Sequence, residues 1–126
     1  VMKLGGSVQL PALPPATAID WTTPARIGTA AEVAQGKAFY TRYCTVCHGD
    51  SAVGNGFTPD LRISATLASA EAWSDVVIGG ALKSRGMVGF ANVLKPGDAE
   101  ALRAYVIERS NWTKANLARE TAPVGR

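Results

Sequence analysis

Apolar and polar positions along the chain fall into three helical stretches separated by glycine-rich connections. Val33, Gly36, Tyr40, Tyr43, Cys44 and Cys47 recur at three- and four-residue intervals, the spacing at which side chains share one helical face. Just ahead of them, Thr29 and Glu32 form a Thr-x-x-Glu pattern, whose hydroxyl and carboxylate satisfy unpaired amides reciprocally, so a helix is predicted to begin there. A second helix takes Ser69 as its cap, carries Trp73, Val76 and Val77 on its apolar face and ends at Gly79–Gly80. The third opens with Pro96, gains Asp98 and Glu100 near its positive end and continues through Leu102, Tyr105, Val106 and Arg109. Residues 49–68 and 81–95 read as loops, and strand signals are weak throughout. Beyond Trp112 no apolar period continues, so residues 113–126 are expected to form a loosely attached C-terminal tail.

Ahead of the first helix, residues 1–28 carry Gly5, Gly6, Pro11, Pro14, Pro15, Pro24 and Gly28 with few periodic apolar positions, the composition of a linker or wrapping arm. The pattern predicts one all-α domain over residues 29–112, within the single-domain range for a 126-residue chain. No apolar run approaches the roughly 20 residues of a membrane helix, so no membrane span is expected. Net charge is +3 with scattered basic residues, which gives nucleic acid little support as a partner. The opening VMKLGGSVQL lacks both the regions of a secretion signal and an initiator methionine, so the chain is expected to be a mature product or a piece of a longer protein.

The candidate chemistry is concentrated in YCTVCHG, residues 43–49, which contains both cysteines and the single histidine. A disulfide between Cys44 and Cys47 would close too short a loop to restrain much of the unfolded chain. A thioredoxin-like pair would sit at a helix N-terminus, whereas here the apolar period runs into the motif and places the thiols late in a helix. Structural zinc needs four ligands, and two thiolates with one adjacent imidazole supply too few. C-x-x-C-H is instead the attachment pattern of a c-type haem: both thiols add to the vinyl groups and the neighbouring imidazole binds iron from one face. One haem per chain is expected, on Cys44, Cys47 and His48.

No second histidine is available for the opposite face, which leaves methionine. Met2 lies in the arm, whereas Met87 lies in RGMVGF, where Gly86 and Gly89 would let a thioether approach the iron. A lone methionine is otherwise core filler. The expected iron ligands are His48 and Met87, and two protein ligands leave no open position for substrate. Around them, the carbonyl of Pro59 or a neighbour could accept from the far nitrogen of His48. Arg62 could pair with a haem propionate or be an ordinary exposed arginine. Trp73 could direct its indole N–H to a propionate, although its spacing equally suits a core residue.

With these residues assembled, the chain resembles a class I cytochrome c over residues 29–110. Gly36 and Tyr40 precede Cys44 at the family's intervals, and Leu102 and Tyr105 match the partner positions on its last helix. The resemblance implies three main helices around a covalent haem, with the first and last crossing at the glycine. CHGDSAVGNGFTPDLR, WSDVVIGGALKSRGMVGFANVL and DAEALRAYV are also similar to the C-terminal haem domain of quinohaemoprotein alcohol dehydrogenases, which use pyrroloquinoline quinone (PQQ) on a β-propeller. This implies a periplasmic domain that takes electrons from a PQQ-containing propeller of the same polypeptide and passes them to a periplasmic acceptor. Taken alone the chain would be an electron-transfer domain, and dehydrogenase activity would reside in the parent. A free-standing cytochrome c carrier, and a haem sensor or peroxidase-like protein with a displaceable Met87, are the competing readings. Two departures from the family stand out: Val88 occupies the usual proline position after the methionine, and Lys95 the usual capping position before Pro96.

Overall fold

A computed structural model describes residues 11–12 and 19–120. Its α-helices are α1 (Ala30–Tyr43), α2 (Thr45–His48), α3 (Ala70–Val77) and α4 (Pro96–Glu120), and the described residues contain no strand. The all-α class expected from the sequence is the class observed. The expected arm is described only from residue 19, apart from residues 11–12, and Met2 lies outside the described residues.

The helix starts follow from local chemistry. Thr29 Oγ1 accepts from the Glu32 amide while the Glu32 carboxylate accepts from Thr29 N–H, a closed capping box. Ser69 Oγ accepts from Ala72 N–H at the start of α3. Lys95 offers no capping side chain at the entry to α4, but Asp98 Oδ2 reaches back to its amide at 2.8 Å. Half of a capping box therefore survives the lysine.

α1 and α4 cross at Gly36. A Cβ on that glycine would stand 1.9 Å from the Ala101 carbonyl oxygen and 3.0 Å from Tyr105 Cβ, so the two backbones meet where no side chain fits. Around the crossing Tyr40, Leu102, Tyr105, Val106 and Ile107 are buried, with the Tyr40 and Tyr105 rings 5.2 Å apart. α3 closes the core from another side through Trp73 and Val77.

α4 does not stop near Trp112 as expected; it continues to Glu120. The residues beyond Trp112 are mostly exposed, so they show no apolar period, yet Lys, Ala, Leu, Arg and Glu are strong helix formers. This extension is also tied down. Thr113 Oγ1 accepts from Arg62, and Lys114 Nζ donates to the Trp21 carbonyl at 3.0 Å. The arm lies along the same helix: Asn111 donates to the Pro24 carbonyl, Arg26 pairs with Glu108 and Ile27 packs on the core.

Gly36→Val should lower unfolding stability by about 1–3 kcal/mol, because overpacking here must displace backbone rather than a side chain. Chemical denaturation of the haem-loaded protein measures it, and a midpoint equal to that of the parent would remove the crossing as a constraint.

Candidate functional site

α1 and α2 deliver the YCTVCHG stretch to the edge of a cavity of about 550 Å³. The cavity is lined by Tyr43, Cys44, Cys47 and His48, by Pro59 and Leu61, by Trp73 and Val77 of α3, and by Leu82, Met87 and Phe90 from the loop ahead of α4. The lining is mostly apolar, as a buried macrocycle requires.

His48 is the last residue of α2 and is 7% exposed. The chain leaves it through Gly49 at φ +70°, then passes through Ser51 and Ala52 with φ of 62° and 67°, a left-handed stretch that non-glycine residues rarely adopt. Three contacts hold this turn. Tyr40 Oη donates to the Gly49 carbonyl at 2.7 Å, Gly54 N–H to the His48 carbonyl at 2.8 Å, and Thr58 Oγ1 to the Cys47 carbonyl at 2.7 Å. Asn55 completes the loop by accepting from the amides of Phe57 and Thr58.

Burial pushes the His48 pKa down, favouring the neutral ring that can bind a metal, while the nearby Pro59 carbonyl works in the opposite direction. His48 Nδ1 is nonetheless buried without a hydrogen-bond partner in good geometry. A buried, unpaired imidazole beside a carbonyl is unsatisfied without a further contact. Both thiols are free; Cys47 is exposed and Cys44 is half-buried. Burial, and then the neighbouring Cys47, push the Cys44 pKa up to about 11, which disfavours a reactive thiolate.

Met87 follows Gly86, which turns the chain at φ +93° after the short helical turn Lys83–Arg85. Gly89 serves a different purpose from the slack its sequence position suggested. A Cβ there would stand 2.9 Å from the Ile78 carbonyl oxygen and 3.0 Å from Gly80 Cα, so Gly80 and Gly89 press two backbone segments together. Phe90 N–H donates to the Val77 carbonyl at 2.8 Å just beyond. The Met87 loop is thus pinned to the end of α3, even with Val88 in the usual proline position.

Two expected contributors are placed differently. Trp73 lines the cavity, but its indole N–H donates to the Ala99 carbonyl at 2.8 Å, where it ties α3 to α4 instead of facing outward toward a propionate. Arg62 is outside the cavity lining. Its guanidinium grips the Asp60 carboxylate at 2.9 and 2.6 Å, donates to Thr113 at 3.1 Å and stacks 5.2 Å from the Trp21 ring. The aspartate two residues earlier in the chain supplies its anion. The cation that does line the cavity is Arg85, which sequence reading did not single out; its place beside Gly86–Met87 was the available signal.

The donor set therefore suits a covalently held haem: two thiols and a buried imidazole within one short stretch, and a thioether brought to the same cavity by a separate loop. Comparison with known proteins agrees. The family model for cytochrome c oxidase, cbb3-type, subunit III matches residues 31–106. Quinohemoprotein alcohol dehydrogenase ADH IIB of Pseudomonas putida is 40% identical over 110 residues, covering 86% of this chain and 16% of the relative. The dehydrogenase subunit of alcohol dehydrogenase (quinone) from Acetobacter aceti is 37% identical over 111 residues, covering 88% of this chain and 15% of the relative. Among solved structures, the quinohemoprotein alcohol dehydrogenase ADHIIG of Pseudomonas putida HK5 superposes with a TM-score of 0.68 at 29% identity, over 87% of this chain and 15% of that one. The chain spans about one-sixth of the length of these relatives. It belongs to the cytochrome c family matched by the cbb3-type subunit III model, with the class I cytochrome c fold and a covalently attached haem c.

Proposed function

We propose that this chain is an electron-transfer domain in which Cys44 and Cys47 carry the haem thioethers and His48 and Met87 bind the iron from opposite faces. The observation that carries this reading is the convergence of all four side chains on one apolar cavity, although Met87 comes from a different loop. When bound, the haem supplies a one-electron couple between ferric and ferrous iron. The chain's own residues set its conditions. The Pro59 carbonyl lies beside the buried His48 ring and would accept from Nδ1 once the ring binds the iron, which would orient the ring and raise its basicity as a ligand. Trp73, Val77, Leu82 and Phe90 would shield the bound group from water, and the Met87 thioether as a ligand would favour the ferrous state. The pinned loops around His48 and Met87 limit how far the ligands move as the charge changes, which suits rapid transfer.

The likeness to quinohaemoprotein dehydrogenases supports a parent polypeptide with a PQQ-bearing propeller as electron donor and a periplasmic protein as acceptor. In that arrangement the oxidation of alcohol occurs in the parent's other domain, and this chain has no catalytic residue of its own. Among the described residues no helix is long and apolar enough to cross a membrane.

Covalent attachment is tested by acid–acetone extraction followed by mass measurement of the protein. Haem should remain on the chain, and Cys44→Ala with Cys47→Ala should release it; haem leaving the unmodified protein with the solvent would overturn the assignment. Ligation is tested with Met87→Ala. The variant should mature, lose the weak sulfur-to-iron absorption at the red end of the ferric spectrum, show a lower reduction potential and bind carbon monoxide readily when reduced. The parent should bind carbon monoxide poorly. Equal and rapid binding by both would favour the sensor or peroxidase-like alternative.

A further inference from the structure

The loop between the haem motif and α3 carries an ion pair that its local structure does not require. Asp60 caps the short helical turn Leu61–Ile63, its Oδ1 accepting from the Arg62 amide at 3.0 Å. The next turn, Ala65–Ala68, is capped by the neutral Ser64 hydroxyl. Asp60 is in addition gripped by the Arg62 guanidinium, Nε to Oδ1 at 2.9 Å and Nη2 to Oδ2 at 2.6 Å, and the two side chains are only 17% and 13% exposed. A two-pronged pair so shielded from solvent is held in one geometry, unlike an ordinary surface pair.

The guanidinium is itself fixed by two other elements. Nη1 donates to Thr113 on α4 at 3.1 Å, and the centre of the Trp21 ring, on the arm, lies 5.2 Å from Cζ. Lys114 in turn holds the Trp21 carbonyl at 3.0 Å, and the Arg62 carbonyl accepts from the buried Ser110 hydroxyl. Asp60 is thereby anchored to α4 and to the arm as well as to its own loop.

What Asp60 anchors is the carbonyl beside His48. The peptide plane that carries the Pro59 oxygen also carries the Asp60 nitrogen, and a planar peptide turns as one unit. The pyrrolidine ring fixes φ of Pro59, so the direction of its carbonyl depends on how Asp60 is held. Gly54 confines the same group: a Cβ there would stand 3.0 Å from the Pro59 carbonyl oxygen, while its N–H donates to the His48 carbonyl at 2.8 Å.

We propose that Arg62 is a positioning residue for His48: its grip on Asp60 holds the Pro59 carbonyl where the ring nitrogen Nδ1 can donate to it, and Trp21 extends this control to the arm. This rests on the reading of His48 as an iron ligand and adds the group that sets the ring's orientation.

Because His48 is the single histidine, ¹⁵N-histidine labelling of the haem-loaded chain reports on that ring alone. In the reduced protein, the exchange rate of Nδ1–H with deuterated water is divided by that of the Val106 amide in the core of α4, so that a general loss of stability cancels. Asp60→Asn keeps a capping oxygen and removes the ionic grip, and Arg62→Ala removes the cation. In both, the ratio should rise by about tenfold, the effect of losing one well-made hydrogen bond. Arg62→Lys should recover part of the protection, and Trp21→Ala should raise the ratio by a smaller factor. Unchanged ratios in Asp60→Asn and Arg62→Ala, with a lower denaturation midpoint, would make the pair a brace for its loop alone and overturn the proposal while ligation by His48 stands. An unchanged ratio in Trp21→Ala by itself would overturn the arm's part in it. Ring nitrogens that resonate and exchange as those of a free imidazole in the unsubstituted chain would overturn the ligation reading, and this proposal with it.

Discussion

The contact between Gly36 and the backbone of α4 at Ala101 sets the position of everything else in the molecule. A separation that leaves no room for a methyl group brings α1 against α4 closely enough for the Tyr40 ring to meet that of Tyr105 at a tilt and for its hydroxyl to reach the Gly49 carbonyl. That hydroxyl is the link between helix packing and the site. It holds the turn immediately after His48, so this proposed ligand inherits its position from the helix crossing. Any side chain at position 36 would separate the helices and withdraw that support.

Around the haem motif, the chain accepts unfavourable backbone geometry and holds it with polar contacts. Ser51 and Ala52 sit at positive φ without being glycine, at a cost on the order of 1 kcal/mol each. Such geometry persists because its surroundings determine it: Ala52 is fully buried, and Gly54 N–H, Tyr40 Oη and Thr58 Oγ1 donate to the His48, Gly49 and Cys47 carbonyls. On the other side of the cavity, Gly80 against Gly89 does for Met87 what the Gly49 turn does for His48. Both proposed ligands are carried on short segments whose ends are fastened elsewhere.

Arg62 joins the arm to this core. Its side chain touches Asp60, Thr113 and Trp21, and its carbonyl accepts from the fully buried Ser110 hydroxyl. Removal of the guanidinium would leave a nearly buried Asp60 carboxylate without its cation, a larger loss than that of an exposed pair. The same residue that sequence reading offered to a propionate thereby fixes the far end of α4 and the approach of the arm.

The sequence alone determined the helix starts, because a Thr29–Glu32 capping box, the Ser69 cap and Pro96 act over three or four residues. It also determined the cofactor chemistry, since C-x-x-C-H packs thiols and imidazole into one short stretch, and it singled out Gly36 through its spacing from Cys44. Tertiary structure decided what depends on residues distant in sequence. Arg62 turned to Asp60 and Thr113, the Trp73 donor to Ala99, and Gly89 to the α3 end. α4 ran past Trp112 because helix propensity and contacts to the arm replaced an apolar face there. Local patterns carry the free energy of caps and covalent motifs, whereas the partner of a long polar side chain is chosen by whichever acceptor the folded chain brings within reach.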